Sequence, residues 1–175
     1  MSADPRSRAQ RRRDAEHRLT QDKDVWVASA SADGAPYLVA LSFDWDGEAL
    51  LMATPTDSPT GRNLAATRAV RLGLGHTRDV SMIEGEVEVL EIDALSRERG
   101  DRFAAHTGFD PRALATPYRW FRISPRRIQA WREVNELPDR ELMRDGRLGR
   151  ARRVAGAQSH HRPKRREPDV PLEAG

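Results

Sequence analysis

Ser58, Arg62 and Asn63 fall within one short stretch, Thr54-Pro-Thr-Asp-Ser-Pro-Thr-Gly-Arg-Asn-Leu64, between two strand-like segments. Ser58 suits a helix N-cap, and Pro59 suits the first helical position, where its missing N–H would be unpaired in any case. A helix that starts there carries Arg62 and Asn63 in its first turn. Such an end offers unpaired N–H groups and the positive end of the helix dipole, and Arg62 adds a fixed charge. That is chemistry for holding an anion, most often a phosphate. The same residues also read as an ordinary capped helix with an arginine facing solvent, so the flanking elements must decide.

Aromatic rings among arginines are the second candidate. Trp120 and Trp131 lie amid Arg119, Arg122, Arg126, Arg127 and Arg132. Aromatic faces beside guanidinium groups suit a planar, anionic ligand through stacking and charge-assisted hydrogen bonds. The same mixture suits a subunit interface, and both readings stay open. Trp26 and Trp45 are expected to fill the core or cover a barrel end. Glu84, Glu86 and Glu88 recur at period two and read as one solvated strand face.

Other chemistries find little support. His17, His76 and His106 stand alone without the spacing of a metal helix, and His160-His161 sits in a basic tail, so no metal site is expected. There is no Gly-x-Ser-x-Gly turn and no cysteine, and no side chain is marked as a catalytic nucleophile. An enzyme built on this chain would draw its reactive group from a cofactor.

The elements that must position these residues are mostly strands. Val25–Ala30 and Tyr37–Phe43 read as strands around a turn at Asp33-Gly34. Asp46-Gly47 is a tight-turn signal that pairs Ala49–Ala53 antiparallel with the second strand. A helix over Pro59–Thr67 precedes the alternating Val70, Leu72 and Leu74. A long strand over Val80–Leu90 holds Gly85 at a bulge or close backbone approach. Asp93 is expected to cap a helix running to His106 and stopped by Gly108. A short helical turn is expected near Pro111–Ala115. Tyr118–Ile123 and Arg127–Trp131 read as two strands split by Ser124-Pro125. Tight turns and few crossovers predict a mainly β chain, an antiparallel barrel of six or seven strands with two or three helices.

Charge is unevenly spread along the 175 residues. Residues 1–18 carry six arginines against three acids, and residues 147–175 carry eight lysines and arginines against three acids. The body between them, 19–146, holds 16 basic against 21 acidic residues. A net acidic body is a poor partner for duplex DNA, and the tail runs Arg11-Arg12-Arg13 and Lys164-Arg165-Arg166 are low-specificity signals, so nucleic acid is not the expected partner. Residues 1–18 are expected to form a loose or helical lead-in and 147–175 a disordered tail, around one domain at 19–146. Zero cysteines, and no apolar run near the roughly 18 residues of a membrane helix, predict a cytoplasmic protein without a membrane partner.

The motifs in this order are familiar. Three strands, then Ser58-x-x-Gly61-Arg62-Asn63-Leu64, then the strand Val70–Leu74, resemble the pyridoxamine 5′-phosphate oxidase-like flavoproteins. Arg78-Asp79-Val80 followed by Glu84-Gly85-Glu86-Val87-Glu88 resembles a strand pair of that family. Phe121-Arg122-Ile123-Ser124-Pro125 through Ile128, Trp131, Leu137, Asp139 and Arg140 resembles its closing segment. The resemblance spans Leu19 to Arg144 and includes the related deazaflavin (coenzyme F420) and FMN reductases, to which this chain looks closer.

The resemblance implies a split β-barrel of the FMN-binding type, working as a homodimer with the cofactor at the interface. By that resemblance the phosphate lies against Thr54, Ser58, Arg62 and Asn63, and Val39, Ala40 and Leu41 line the isoalloxazine. Trp131 and Arg140 match positions that contact FMN, from the second subunit. The family's basic residue two after the loop serine is Thr60 here, and its glutamine after the arginine is Asp79. The segment from Trp131 to Arg140 is one residue short, and the positions that grip a vitamin B6 phosphate hold Glu136 and Pro138. Vitamin B6 oxidation is therefore not expected. The expected activity is hydride transfer between FMN, or alternatively F420, and a small organic substrate. The rival from another class is a flavin- or haem-binding barrel that stores or senses its ligand without turnover.

Overall fold

Alternation at period two builds the barrel wall. The computed structural model of the chain describes residues 4–149. In β1 (Asp24–Ala30) Val25 and Val27 are buried while Trp26 between them is exposed. β4 (Ala69–His76) buries Val70, Leu72 and Leu74, and β5 (Asp79–Glu91) buries Ile83 and Val87. β2 (Pro36–Trp45), β3 (Leu50–Pro55) and β6 (Tyr118–Trp131) complete the sheet. The strand order is β3-β2-β1-β4-β5-β6, every pairing is antiparallel, and β3 pairs again with β6. The result is a closed six-stranded antiparallel barrel, mainly β as its pattern predicts. β7 (Glu141–Arg144) adds to the second half of β6, and β8 (Arg147–Leu148) adds to β7.

β3 is buried on both faces. Leu50 and Met52 belong to the main core, while Leu51 and Ala53 join a second cluster with Phe103 and Trp120. That second cluster lies under α3 (Arg97–Thr107), where Phe103 meets Trp120 edge to face at 5.0 Å. Arg99 and Arg102 of α3 both pair with Asp44 near the end of β2, pinning the helix over this side. Among the described residues no helix covers the outer face of β1, β2, β4 and β5 in this way, and Trp26 and Leu38 there are exposed.

Four expectations need correction. β6 is one strand rather than two, because Ser124-Pro125 meets a register shift at Glu84/Gly85 of β5, and a bulge is where a proline without an N–H is tolerated. A Cβ at Gly85 would collide with Ile123, which explains the glycine. The cap of α3 is Ser96 rather than Asp93: Ser96 Oγ accepts from Arg99 N at 3.3 Å, while Ala94 N closes a turn onto Glu91 O at 3.0 Å. The expected boundary at residue 18 falls inside α1 (Arg8–Gln21), which buries Arg11, Ala15 and Leu19 at one-turn spacing. Its few apolar residues predict a weak helix alone, and ion pairs to the barrel supply the rest. Finally, Arg147 and Leu148 are strand rather than tail. The remainder of the expected tail, 150–175, lies outside the described residues.

Candidate functional site

The first cluster forms where β3 hands over to α2 (Pro59–Thr67). Ser58 caps the helix as its sequence suggests: its Oγ accepts from Gly61 N at 3.0 Å and donates to Pro55 O at 2.8 Å. Because that proton is spent on Pro55, the 3.1 Å contact between Thr54 Oγ1 and Ser58 Oγ has Thr54 as donor. Asn63 is buried and its Nδ2 donates to Ser29 Oγ at 3.1 Å, tying the helix to β1. Arg62 is exposed, and its guanidinium donates to the Asp57 carbonyl oxygen across the loop. No carboxylate pairs with it among the described residues. Thr54, Ser58, Arg62 and Asn63 are thus brought together; both hydroxyl protons are engaged inside the corner, and the exposed Arg62 guanidinium, which no carboxylate among the described residues neutralises, is the group suited to a phosphate.

Trp131 and Arg140 form the second cluster. The Arg140 guanidinium carbon sits 5.6 Å from the Trp131 ring centroid. Gln129 holds it there: the amide orientation that satisfies its neighbours places Oε1 2.9 Å from Arg127 Nη2 and 3.2 Å from Arg140 Nε. Arg127 also reaches Glu84 and Glu141, and Arg71 pairs with Glu84 at 3.0 Å.

Between the clusters runs an open sheet face. Register places Ala40 beside Trp26, Trp26 beside Gly73, Gly73 beside Met82 and Met82 beside Gln129. The next row is Leu38, Ala28, Arg71, Glu84 and Arg127. The expected lining trio divides here, because a strand alternates: Val39 and Leu41 pack against the barrel core, and only the side chain of Ala40 faces outward.

Behind Trp131 lies a charge cluster that the motifs did not reveal. Glu136 is 2% exposed and accepts from Arg6 N at 2.8 Å, Arg6 Nε at 3.0 Å, Arg6 Nη2 at 2.8 Å and Arg132 N at 2.7 Å. Hydrogen bonds from the Arg6 side chain outweigh the opposing effect of burial and hold its carboxyl at about 2. Asp79 takes Arg6, Arg18 and Arg132 at 3.1, 2.8 and 3.1 Å. Burial pushes the Asp79 carboxyl up, but bonds from Arg18 and Arg132 leave it below the usual carboxylate range. These bonds lock α1 and the segment 134–139 to the β4–β5 turn.

Two tryptophans depart from expectation. Trp26 is 55% exposed rather than in the core, a position its alternation with Val25 and Val27 already implies. Trp120 is fully buried under α3, with Nε1 donating to Ile92 O at 3.1 Å, so its ring faces no ligand. Trp45 packs against the core as expected. Among the described residues no group of three or more potential ligands could hold a metal ion, and no helix is long and apolar enough to cross a membrane.

The family model for pyridoxamine 5′-phosphate oxidase matches residues 13–132. Several solved structures share the fold. An F420 reductase is 21% identical at a TM-score of 0.54, over 65% of this chain and 94% of its own. A putative pyridoxamine 5′-phosphate oxidase from Listeria innocua is 16% identical at 0.55, over 70% and 97%. HupZ from Group A Streptococcus is 18% identical at 0.54, over 68% and 94%. No curated protein matches the chain.

Proposed function

The chain belongs to the pyridoxamine 5′-phosphate oxidase family, and from that premise we propose that it is a cytoplasmic oxidoreductase, a homodimer that binds FMN, or alternatively F420, across its subunit interface. The observation that carries this reading is the open face itself: Trp26, Leu38 and Ala40 stand exposed, with half-buried Met82 beside them, between the Arg62 corner and a Trp–Arg pair. Ala40 and Gln129 lie four strand steps apart around the curved barrel wall. A second copy folded over this face would bring its own Trp131 and Arg140 toward the first copy's Ala40.

When bound, such a cofactor supplies hydride transfer with a small organic substrate. The chain supplies the rest. Arg62, released from Asp57, would hold the phosphate, with Thr54 and Ser58 fixing the loop beneath it and Asn63 the helix start. Trp131 and Arg140, kept in place by Gln129, would cover the ring, and the apolar face would exclude water. Vitamin B6 phosphates are outside this reading, because Glu136 is a buried carboxylate already saturated by Arg6 and Arg132.

The test is a visible absorption spectrum of the purified protein with fluorescence titrations of FMN and F420. Binding of one of them is expected, and Arg62→Ala should weaken it by about 1–3 kcal/mol, the range for a charge-assisted hydrogen bond. Protein that binds neither sinks the proposal. Bound cofactor that no nicotinamide nucleotide or partner reductant can reduce would make it a binding protein without turnover.

A further inference from the structure

α1 packs against β2, β4, β6 and β7, yet beside Ala15 it leaves a hollow of about 560 Å³. The space lies between the helix, the β2–β3 turn and the β6–β7 pair, and it is within the size range of small-molecule sites. Ala15 is short where a longer side chain would fill the gap. The floor is the main core itself, with Leu19, Ile128 and Leu142 buried. Half-buried Trp45 and Met143 add an aromatic and a thioether wall. None of these residues belongs to the open face or to the Arg62 corner.

Three charged residues stand at the rim. Arg12 Nε meets Glu16 Oε1 at 2.7 Å, so those two charges cancel. Glu48 is exposed, and no cation among the described residues pairs with it. Its backbone N–H donates to Asp46 Oδ1 at 2.8 Å, which fixes the turn that carries it. Trp45 lies on the same turn, three residues earlier. A tryptophan beside a carboxylate, over an apolar floor, is a setting for an ammonium group on an apolar body. We propose that this hollow binds a small amphipathic amine, its body on Leu19, Ile128 and Leu142 and its cationic nitrogen between Trp45 and Glu48. An anionic amphipath of the same length meets Glu48 with like charge and is rejected.

The test is calorimetric titration of the full-length protein with octyltrimethylammonium, whose charge does not depend on pH, and with octanoate, each below the concentration at which it forms micelles. Saturable binding of one ammonium probe per chain is expected, with octanoate weaker by about tenfold. Glu48→Gln should weaken the ammonium probe by about threefold, the scale of one exposed charge pair, without weakening octanoate. Met143→Trp, which places an indole in the hollow, should abolish binding of both. If Met143→Trp does not fold by far-ultraviolet dichroism, Glu48→Gln still decides, because its side chain is exposed on a turn. Equal affinity for the two probes, or full affinity in Glu48→Gln, overturns the proposal. So does full-length protein that binds neither probe; light scattering then tells whether a second copy covers the hollow.

Discussion

The cluster around Glu136 and the open face around Trp26 sit on the same barrel and treat their chemistry in opposite ways. In the first, Arg6, Arg18 and half-exposed Arg132 meet Asp14, Asp79 and Glu136, and each of these charges finds its counter-charge. In the second, an indole and a leucine stand uncovered, and Arg71 has only a share in the carboxylate of Glu84 among the described residues. Saturated groups hold a fold together. Groups left with spare capacity bind something else. The contrast assigns stability to one region and recognition to the other, although both flank Trp131.

The largest expected effect follows from removing the hub of the first region. Glu136→Ala leaves the backbone N–H groups of Arg6 and Arg132 without their acceptor, while the Arg6 guanidinium keeps Asp14 and Asp79, at a cost of about 2–3 kcal/mol. Urea denaturation should show that loss, while Trp26→Ala stays within about 1 kcal/mol because its side chain covers little. Equal losses in the two variants would erase the distinction.

Acid should act on the same hub more gradually. Glu136 is lowered from 4.5 to about 2 in the folded chain, so its contribution is complete above pH 4.5. As pH falls from there toward about 2, the unfolded chain takes up the proton first and the contribution is lost. Asp79 is depressed as well and adds in the same direction. The urea midpoint should therefore decline across that window, and Glu136→Gln should flatten the decline. An unchanged slope in Glu136→Gln would place the acid sensitivity elsewhere.

What could be read from the residues and what could not differ for physical reasons. Period-two alternation and the turns at Gly34 and Gly47, both at positive φ, specify strands and hairpins locally, and these emerge as expected. The Ser58 cap is equally local. Pro125 misleads because its tolerance depends on a bulge at Arg126 of β6, which only the pairing with Glu84 and Gly85 of a distant strand reveals. The exposure of Trp26 was readable from its parity with Val25 and Val27, but a preference for burying tryptophan hid it. The Glu136 hub joins residues 130 positions apart, and such pairs leave no periodic trace. Likewise Val39 and Leu41 flank Ala40 in sequence but face the other side of the wall.

The smallest effect probes the boundary between the regions. Gln129 accepts from both Arg127 and Arg140, and Arg127 keeps Glu84 and Glu141 if the amide is lost. Among the described residues Arg140 then keeps the Trp131 face, a contact worth about 0.5–1 kcal/mol where water reaches it. Gln129→Leu should accordingly cost about 1 kcal/mol or less in stability, alter the near-ultraviolet dichroism of Trp131, and weaken FMN about threefold. The stability change is small because nothing buried is left charged and alone. The binding change persists because the loosened guanidinium no longer presents a fixed edge to the ring. A variant that loses stability on the scale of Glu136→Ala would instead make Gln129 part of the structural hub, and the division between holding and binding would have to be drawn on the other side of Trp131.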